Sequence, residues 1–461
     1  MSTVAVVLAA GLGTRMKSAL PKVLHPILGD PSLLWVLRSL PSDLRSALVV
    51  VHHGQEQVMA ALETWAAAGL LPCPVEAVPQ GEPLGTGHAV KACTAALDRL
   101  QAERVLILSG DVPLLPASTV TELASSQGLL LAMELERPTG YGRILTDNRG
   151  HLTGLVEEKD ATPEQREIRL VNGGAYSLPW KPLRAALQAL RNDNAQKEYY
   201  LTDAVVAVAA AGPVAIAVRP EAELLGMNSR LDQAHLQGLA AKAIREFWMR
   251  EGVTFLLPES ALVGPRVQLA RDVVVEPGVR LEGEVTVGEG SRLGQGSVIA
   301  DSRIGNRTEL RPYSILEKAV VGSGAHVGPF ARLREGTDLA DQVHIGNFVE
   351  TKKAAFGLGA KANHLAYVGD AEVGEGTNIG AGVITCNYDG VNKHKTTIGK
   401  RVFVGSDTQL VAPVTLGDDA LIAAGSTVTR DVPAGALALS RVPQDNKEGA
   451  ATRLRARQKK A

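Results

Sequence analysis

Cysteine, aromatic residues and net charge are all scarce in this 461-residue sequence. Its three cysteines cannot build a disulfide framework, and the sequence contains no Cys-x-x-Cys pair that could hold zinc. Aromatic residues make up only 4% of the chain, so most of its apolar content, 45% in all, is aliphatic. The 48 basic and 49 acidic residues give a formal net charge of −1, which argues against a chain-wide polycation made to coat nucleic acid.

Long apolar runs and a secretory leader are also missing. The longest uncharged apolar run, Ala204 to Val218, is interrupted by Gly212-Pro213, so we expect no membrane span. The first residues have no basic segment ahead of an apolar stretch, which argues against a secretory signal. We therefore expect a cytoplasmic protein. At about 150 residues per domain, the length suggests about three units.

The first 229 residues alternate short apolar runs with helical patterns. Thr3–Ala9, Ala47–Val51 and Arg104–Leu108 are predicted to be buried strands, each before a turn or a helix. This alternation predicts an α/β domain over 1–229 with a Rossmann-like, mostly parallel sheet. Aliphatic residues at helical spacing then predict a linker helix over 230–250.

After Gly252 the aliphatic residues recur at every sixth position, most regularly at the end: Ile398, Val404, Leu410, Leu416, Ile422 and Val428. A period of six fits a chain that turns a corner after each short strand, with glycine or another small residue easing the corner. Three faces make one coil, so residues 263–430 predict about nine coils of a solenoid within a C-terminal domain spanning 251–461. The polar insertion from Cys386 to Lys395 is expected to leave one corner as a functional loop. The basic run from Arg453 to Lys460 is expected to be a solvated tail.

Two glycine-rich loops and an aspartate carry the chemistry of the first half. Leu8–Met16 follows the first strand, and its glycines allow backbone N–H groups to approach phosphate, while Arg15 and Lys22 supply positive charge. Leu84–Ala89 forms a second such loop before a helix. Asp111 follows the strand that ends near Leu108, where a carboxylate is well placed to hold Mg²⁺.

The string Gly11-x-Gly13-Thr14-Arg15-Met16, followed by Leu20-Pro21-Lys22, resembles the signature of sugar nucleotidyltransferases. With Gly140-Tyr141-Gly142-Arg143 and Asn387-Tyr388-Asp389-Gly390, the chain from Val4 to about Gly449 resembles the bifunctional GlmU family. Members of that family join an N-acetylglucosamine-1-phosphate uridylyltransferase to a glucosamine-1-phosphate N-acetyltransferase.

The resemblance implies two reactions. Acetyl-CoA acetylates glucosamine-1-phosphate, and UTP then donates its uridylyl group to N-acetylglucosamine-1-phosphate with release of pyrophosphate. The product, UDP-N-acetylglucosamine, is a precursor of peptidoglycan and lipopolysaccharide. The resemblance also implies Mg²⁺ as the cofactor, a left-handed parallel β-helix and a homotrimer with acetyl sites between subunits. It implies no nucleic-acid partner.

The resemblance assigns residues to both sites. Asp111 and Asn228 match the metal ligands. The nucleotide and sugar site would comprise Leu8, Ala9, Ala10, Gly11, Arg15, Lys22, Gln80, Gly85, Thr86, Gly142, Glu157, Asn172 and Asn228. His364 matches the catalytic base of acetyl transfer. The rest of the acetyl-transfer site would comprise Arg334, Lys352, Tyr367, Asn378, Ala381, Asn387, Tyr388, Ser406, Ala424 and Arg441.

At three positions the sequence departs from the commonest pattern of that family. Leu12 stands where a lysine often lies, Pro83 where a glutamine often contacts the base, and Ser109 where a tyrosine is frequent. Three other functions remain open at this point. The chain could activate another sugar, with the solenoid only assembling or regulating the enzyme. It could instead be a scaffold or binding module with relic catalytic groups, or bind nucleic acid through its basic tail. The combination of His364, Asn387-Tyr388 and Arg441 favours the two-activity reading, because a purely structural solenoid would not need these residues.

Overall fold

The computed structural model describes residues 2–458 and divides into two compact units, one ending at Ala243 and the other beginning at Ile244. The first unit contains eleven strands among its described residues: Thr3–Leu8 (β1), Pro26–Ile27 (β2), Asp30–Pro31 (β3), Ser46–Val51 (β4), Val75–Pro79 (β5), Arg104–Ser109 (β6), Leu129–Glu134 (β7), Arg143–Thr146 (β8), Leu152–Val156 (β9), Leu170–Pro179 (β10) and Ala215–Val218 (β11).

The helices of this unit connect and cover those strands. They are Ser32–Arg38 (α1), Gln55–Ala67 (α2), Thr86–Ala92 (α3), Thr94–Arg99 (α4), Ala117–Ser125 (α5), Pro163–Arg166 (α6), Trp180–Ala189 (α7), Leu201–Ala211 (α8) and Glu221–Leu224 (α9), with 3₁₀ turns at Thr14–Met16 and Lys22–Leu24. The main sheet has the order β11-β7-β10-β6-β1-β4-β5, with β8 and β9 attached at β10. The predicted α/β sheet is confirmed, but only half of its strand pairings are parallel. Strands β5, β4, β1 and β6 run parallel to one another, as do β7 and β11, whereas β10 runs antiparallel to β6, β7 and β8, and β8 runs antiparallel to β9.

Alternate residues of the central strands feed two separate apolar cores. Ala5 and Val7 of β1 pack into one cluster, whereas Val4 and Val6 pack into the other. Both faces of the sheet are therefore covered, which explains why its central strands consist of continuous apolar residues. Ligands of such a sheet bind outside its edge, at the carboxyl ends of the strands.

The predicted linker helix is present as α10, Arg230–Arg250. Asp232 fixes where it begins, because its Oδ2 accepts the backbone N–H groups of Asn228 at 3.0 Å and Ser229 at 2.8 Å. This cap holds Asn228 directly ahead of the helix. None of the described helices is long and apolar enough to cross a membrane.

The second unit is a parallel β-helix whose coils have three faces. Face 1 consists of Thr254–Phe255, Val274–Val275, Arg292–Leu293, Glu309–Leu310, His326–Val327, His344–Asn347, Lys361–His364, Asn378–Ile379, Phe403–Val404, Leu421–Ile422 and Leu437–Ala438. Face 2 consists of Leu262–Val263, Arg280–Glu282, Val298–Ala300, Ile315–Glu317, Arg332–Leu333, Ile384–Cys386, Gln409–Val411 and Thr427–Val428. Face 3 consists of Gln268–Leu269, Thr286–Val287, Arg303–Ile304, Val320–Val321, Asp338–Leu339, Thr396–Ile398 and Val414–Leu416. Two longer strands, Glu350–Phe356 and Tyr367–Val373, continue from face 2 onto face 3.

The register follows the sequence period. Leu262 lies opposite Arg280, and the separation of these two residues corresponds to one coil of three six-residue steps. Where the sequence contains a five-residue step, Thr286 lies opposite Arg303 and the coil is one residue shorter. The solenoid extends beyond the predicted range of 263–430, because pairing begins at Thr254 and ends at Ala438. The inward-facing residues of these end coils do not continue the six-residue spacing of aliphatic residues, so that spacing alone could not predict them.

Gly346 follows the inward-facing Ile345, and its role differs from the predicted one of easing a corner of the coil. Gly346 has no left-handed φ, yet a Cβ placed there would lie 1.9 Å from the carbonyl oxygen of Asn363 in the next coil. Close stacking of coils therefore requires this glycine. Nearby corners are turned instead by residues with side chains, such as Phe330 at φ 56° and Phe348 at φ 58°.

The insertion and the tail lie where the sequence placed them. Ala371 lies opposite Thr396, an offset that accommodates the inserted residues between two neighbouring strands. The last helix, Ala450–Gln458 (α11), covers most of the basic run. Lys459 and Lys460, which belong to the predicted tail, lie outside the described residues.

Candidate active sites

The two glycine-rich loops of the first unit border one cavity of about 380 Å³ at the carboxyl ends of β1 and β6. Eight of the predicted site residues line it: Leu8, Ala10, Gly11, Lys22, Gln80, Gly85, Thr86 and Asp111. Ala9 is buried and its N–H donates to the Val50 carbonyl at 2.9 Å, while Arg15 is exposed. The described lining of this cavity includes neither of these two residues.

The second glycine-rich loop is fixed by close packing. Gly85 has a φ of 110°, and a Cβ there would lie 2.7 Å from the carbonyl oxygen of Tyr199. The buried Gln80 donates from Nε2 to the Gly85 carbonyl at 3.1 Å. Thr86 Oγ1 accepts the Leu201 N–H at 3.2 Å. The loop is thus held between β5 and α8, and Gly85 and Thr86 line the cavity.

Three polar side chains converge at one end of the cavity. The Nζ of Lys22 lies 2.5 Å from Oδ2 of Asp111 and 3.2 Å from Oδ1 of Asn228. These groups come from the turn after Pro21, the end of β6 and the start of α10, which are far apart in sequence. The resemblance predicted Asp111 and Asn228 as metal ligands. In the structure, one side-chain oxygen of each residue faces the Lys22 ammonium group.

The donor set at this point fits a hard divalent cation. One carboxylate oxygen and one amide oxygen already face a positive charge, here the lysine ammonium, and oxygen is the ligand that Mg²⁺ prefers. Over residues 2–458 we find no group of three or more His, Cys, Asp and Glu side chains that could hold a metal. An ion at Asp111 and Asn228 would therefore take its remaining ligands from phosphate and water, as Mg²⁺ commonly does.

The predicted sugar residues lie together beside β8, β9 and β10. The Asn172 N–H donates to the Gly142 carbonyl at 2.9 Å, and a Cβ on Gly142 would lie 3.4 Å from Oε2 of Glu157. Glu157 Oε1 accepts a hydrogen bond from Thr202 at 3.2 Å, while burial raises the pKa of the Glu157 carboxyl. Glu157 lines a separate cavity of about 330 Å³ that also contains Tyr200 and Asp203.

A buried arginine that sequence reasoning left without a role connects these sugar residues. Arg143 is 1% exposed, its Nη1 donates to the Tyr141 carbonyl, and its Nη2 lies 2.7 Å from Glu158 Oε2. It also donates to the Arg166 carbonyl. Arg143 thus fixes the neighbour of Gly142 and the neighbour of Glu157. Its place in the Gly140-Tyr141-Gly142-Arg143 string was the available signal.

The cavity between the two glycine-rich loops contains all three departures from the common family pattern. Leu12, Pro83 and Ser109 line it, together with Glu198, which sequence reasoning did not select. Leu12 is 52% exposed, so an apolar side chain faces solvent where the family often has a cation. The charge at this cavity accordingly comes from Lys22 rather than from the position of Leu12.

In the second unit, five predicted residues form a column at the corner after face 1. His364, Ala381, Ser406, Ala424 and Arg441 occupy this corner in successive coils, and we call them the corner column. Backbone hydrogen bonds join the coils: the Asp407 N–H donates to the Ala381 carbonyl at 2.7 Å, and the Gly425 N–H donates to the Ser406 carbonyl at 2.8 Å. Arg441 Nη1 donates to the Ala424 carbonyl at 2.8 Å. His364 belongs to the first of these coils along the chain, and its side chain is exposed.

A second group lies at the other end of face 2 and contains the predicted phosphate ligands. The Arg334 N–H donates to the Thr351 carbonyl at 2.9 Å, which places Arg334 beside Lys352 in the next coil. Contact with Lys393, and then the charge of Arg334, lower the pKa of Lys352. Arg334 also pairs with Glu350 at 2.8 Å. Arg334 and Lys352 thus lie in adjacent coils, and Lys393 is close enough to influence the pKa of Lys352.

Tyr367 and Asn378 lie on two different faces of the solenoid. Tyr367 stands on face 2, opposite Glu350 and Ile384 in the adjacent coils. A Cβ on Gly369 would lie 2.4 Å from the Tyr367 hydroxyl oxygen, so the ring covers this glycine. Asn378 lies on face 1 opposite Lys361. Most of the predicted acetyl-transfer residues therefore lie at the two ends of face 2, with Tyr367 on that face and Asn378 on face 1, and they do not meet at a single point of this chain.

The inserted loop lies close to the second group, which contains Arg334 and Lys352. Asn387 Nδ2 donates to Asp370 Oδ2 at 2.5 Å, and Tyr388, largely exposed, donates from its hydroxyl to the Gly390 carbonyl at 2.6 Å. Lys393, which sequence reasoning did not select, comes from this loop. Its only sequence signal was its position in a polar, basic insertion within the repeat.

Three family models match the chain, and each match lies within one of the two units. The MobA-like NTP transferase domain matches residues 5–140. The GMPPB C-terminal domain matches residues 263–362, and the bacterial transferase hexapeptide model, with six repeats, matches residues 395–430.

Curated relatives match almost the whole chain. The bifunctional protein GlmU of Alkalilimnicola ehrlichii is 48% identical over 96% of this chain and 95% of its own length. Those of Thermus thermophilus and Pelobacter propionicus are 48% and 45% identical, over 97% and 98% of this chain and 98% of their own lengths in each case. At this identity and coverage, the chain belongs to the bifunctional GlmU family.

Proposed function

We propose that the chain catalyses two steps toward UDP-N-acetylglucosamine, acetylation of glucosamine-1-phosphate followed by uridylyl transfer. The observation that carries this proposal is the coexistence in one chain of two separate sets of groups. The first unit has a glycine-lined cavity with Lys22 and Asp111, to which Asn228 is joined through Lys22, and the second has an exposed His364 at one end of face 2 and cations at the other end.

For uridylyl transfer, the glycine-rich loops would bind the nucleotide and Lys22 would neutralise its phosphates. Asp111 and Asn228 would hold Mg²⁺, which when bound supplies further neutralisation of charge on the phosphates. Gly142, Glu157 and Asn172 would orient the sugar so that its phosphate oxygen attacks the α-phosphorus. The new P–O bond forms as the bond to pyrophosphate breaks, without a covalent protein nucleophile.

For acetyl transfer, Arg334, Lys352 and Lys393 would hold the sugar phosphate, with Tyr367 and Asn378 contacting the sugar. The corner column and Asn387-Tyr388 would bind acetyl-CoA. His364 would accept the proton that the amine loses when it attacks the thioester carbonyl, and the thiolate of coenzyme A would leave. Both substrates would therefore be bound across face 2.

We assign uridylyl transfer to residues 1–229 and acetyl transfer to residues 251–461, with 230–250 as the linker. We also propose a cytoplasmic homotrimer whose acetyl sites lie between subunits. The flanking arrangement on face 2 is consistent with a second subunit completing each acetyl site.

Truncation tests this assignment. A fragment ending at Arg250 should keep uridylyl transfer, lose acetyl transfer and sediment as a smaller species than the full chain. A complementary fragment starting at Ile244, which keeps Trp248 in the core of the second unit, should keep acetyl transfer and the oligomeric state. An N-terminal fragment that is folded but has no uridylyl transfer would overturn the assignment to 1–229, and a monomeric C-terminal fragment would overturn the trimer.

A further inference from the structure

Asp389, in the inserted loop, makes more hydrogen bonds than its exposed position requires. Its Oδ1 accepts the backbone N–H of Val391 at 2.8 Å and that of Asn392 at 2.6 Å. Its Oδ2 lies 2.6 Å from Nε2 of His394. These contacts hold the pKa of the Asp389 carboxyl far below its usual value, with the Asn392 N–H as the largest cause.

These contacts lie on both sides of Lys393. Asn392 and His394 are the two chain neighbours of Lys393, and one carboxylate holds both of them. The Asp389 N–H also donates to the Asn392 carbonyl at 3.1 Å, and Tyr388 forms an antiparallel bridge with Lys393. The peptide segment that carries the lysine is therefore closed into a compact turn.

The loop is also tied to the solenoid at both ends. Near its start, Asn387 bonds to Asp370, and the His394 N–H returns to the Asn387 carbonyl at 2.8 Å. At its end, Lys395 pairs with Glu372. Lys393 lines a cavity of about 340 Å³ together with Gly336, Lys353 and Asp370, which places it beside the coils that carry Arg334 and Lys352.

Groups of both signs line that place. Asp370 and Glu372 line the same cavity as Lys393, and Glu350 pairs with Arg334. The charges of Lys393 and Arg334 nevertheless lower the pKa of Lys352. A fixed loop holds the Lys393 and Lys352 ammonium groups on the same side of the solenoid, and a bound phosphate would relieve their repulsion.

We propose that Asp389 is a positioning residue for acetyl transfer, which fixes the inserted loop so that Lys393 completes the phosphate site with Arg334 and Lys352. This inference rests on the proposed acetyl transfer to a sugar phosphate. Asp389 itself contacts no substrate, and it acts through the backbone on either side of Lys393.

The test is a double-mutant cycle on the full-length chain, with Asp389→Ala, Lys393→Ala and the double variant. Asp389→Ala should raise the KM for glucosamine-1-phosphate by roughly 10- to 100-fold, because a small misplacement of a binding group costs about that much. In the Lys393→Ala background, the same substitution should change this KM by less than about 3-fold, since the residue it positions is gone.

Asp389→Asn provides a conservative comparison, because its remaining carbonyl oxygen can still accept the two N–H groups. It should restore most of the KM lost in Asp389→Ala. Val391→Ala is the matched control in the same loop, since its side chain is 83% exposed and its N–H is retained. Uridylyl transfer and the melting temperature, measured on the same preparations, should be unchanged in every variant.

The outcomes separate this inference from the function on which it rests. A wild-type chain that transfers no acetyl group would overturn the proposed function, and the inference with it. In an active enzyme, a near-normal KM for Asp389→Ala would overturn the inference alone. Equal KM increases in the wild-type and Lys393→Ala backgrounds, or a parallel loss of uridylyl transfer and thermal stability, would do the same.

Discussion

The ammonium nitrogen of Lys22 lies 2.5 Å from the Oδ2 of Asp111, and the two side chains are only 14% and 19% exposed. The pair lies at the carboxyl end of β6, beside the first glycine-rich loop. Partial burial reduces solvent screening, so the charge of each group has a strong influence on whatever binds there. The phosphates of a nucleotide and a divalent cation are the charges that this arrangement fits.

Asp111→Asn tests the metal role, because it keeps the shape of the side chain and removes its charge. Uridylyl transfer should fall by about 10²-fold or more, with the largest loss at limiting Mg²⁺, whereas acetyl transfer should be unchanged. Asp43→Asn, at an exposed position of the same unit, is the matched control. Undiminished uridylyl transfer by Asp111→Asn at limiting Mg²⁺ would remove Asp111 from the metal site.

Glu157 gives a pH-dependent prediction. Since burial raises its pKa, the ionised carboxyl costs the folded state free energy at neutral pH. The protonated Glu157 carboxyl avoids this cost, so the stability of the folded state is highest below the ordinary carboxyl pKa. That advantage is lost as the pH rises through the raised pKa of Glu157. The melting temperature of Glu157→Gln should therefore rise relative to that of the wild type as the pH increases above the ordinary carboxyl pKa of about 4.3.

The same Glu157→Gln variant should raise the KM for N-acetylglucosamine-1-phosphate, because an amide accepts fewer hydrogen bonds than a carboxylate. Melting curves at several pH values, together with uridylyl kinetics, check both parts. A melting difference that does not vary with pH would show that Glu157 titrates normally. An unchanged KM would remove Glu157 from the sugar site.

His364→Ala should reduce acetyl-transfer turnover by roughly 10²–10⁴-fold, as expected for loss of a general base. Uridylyl transfer and the melting temperature should change little, because the His364 side chain is exposed and leaves no cavity. His235→Ala, at an exposed position of α10, is the matched control. Near-normal acetyl transfer by folded His364→Ala would exclude it as the base, while a large fall in melting temperature would indicate a structural role.

Gly346→Ala tests the stacking of coils beneath His364. The added Cβ would lie 1.9 Å from the carbonyl oxygen of Asn363, so the coils must separate or shift. We expect a destabilisation of about 1–3 kcal/mol and a loss of acetyl transfer, since Asn363 precedes His364. Thermal unfolding and acetyl kinetics provide the measurement.

Gly238→Ala is the control for this substitution, because no neighbouring atom lies within 4 Å of its added Cβ. It should stabilise α10 by up to about 1 kcal/mol. If Gly346→Ala has the stability and acetyl transfer of the wild type, the close approach at Gly346 is not what keeps the coils in register.

The sequence predicted the parts of the fold that depend on local pattern. Strand β6 and the six-residue repeat could be found because each inward-facing residue must be apolar, whatever the rest of the chain does. The end coils at Phe255 and Ala438 lie outside that phase, so pairing with a neighbouring coil, rather than periodicity, defines them.

The candidate sites were predictable to the extent that their residues belong to recognisable strings. Asp111 was found from its place after a strand, and its partner Asn228 only from the family resemblance. Lys393 and Arg143 were missed because their roles depend on contacts with residues from other coils or strands, such as Lys352 and Glu158. Such contacts leave no spacing signal in the sequence.

The most direct test of the two-activity proposal is a paired assay on the full-length chain with glucosamine-1-phosphate, acetyl-CoA, UTP and Mg²⁺, each omitted in turn. UDP-N-acetylglucosamine should form only when all four are present. Omission of UTP or Mg²⁺ should leave N-acetylglucosamine-1-phosphate as the product, and omission of acetyl-CoA should leave the sugar phosphate unreacted. Failure to form N-acetylglucosamine-1-phosphate from acetyl-CoA, or to form the UDP-sugar from supplied N-acetylglucosamine-1-phosphate, would contradict the account.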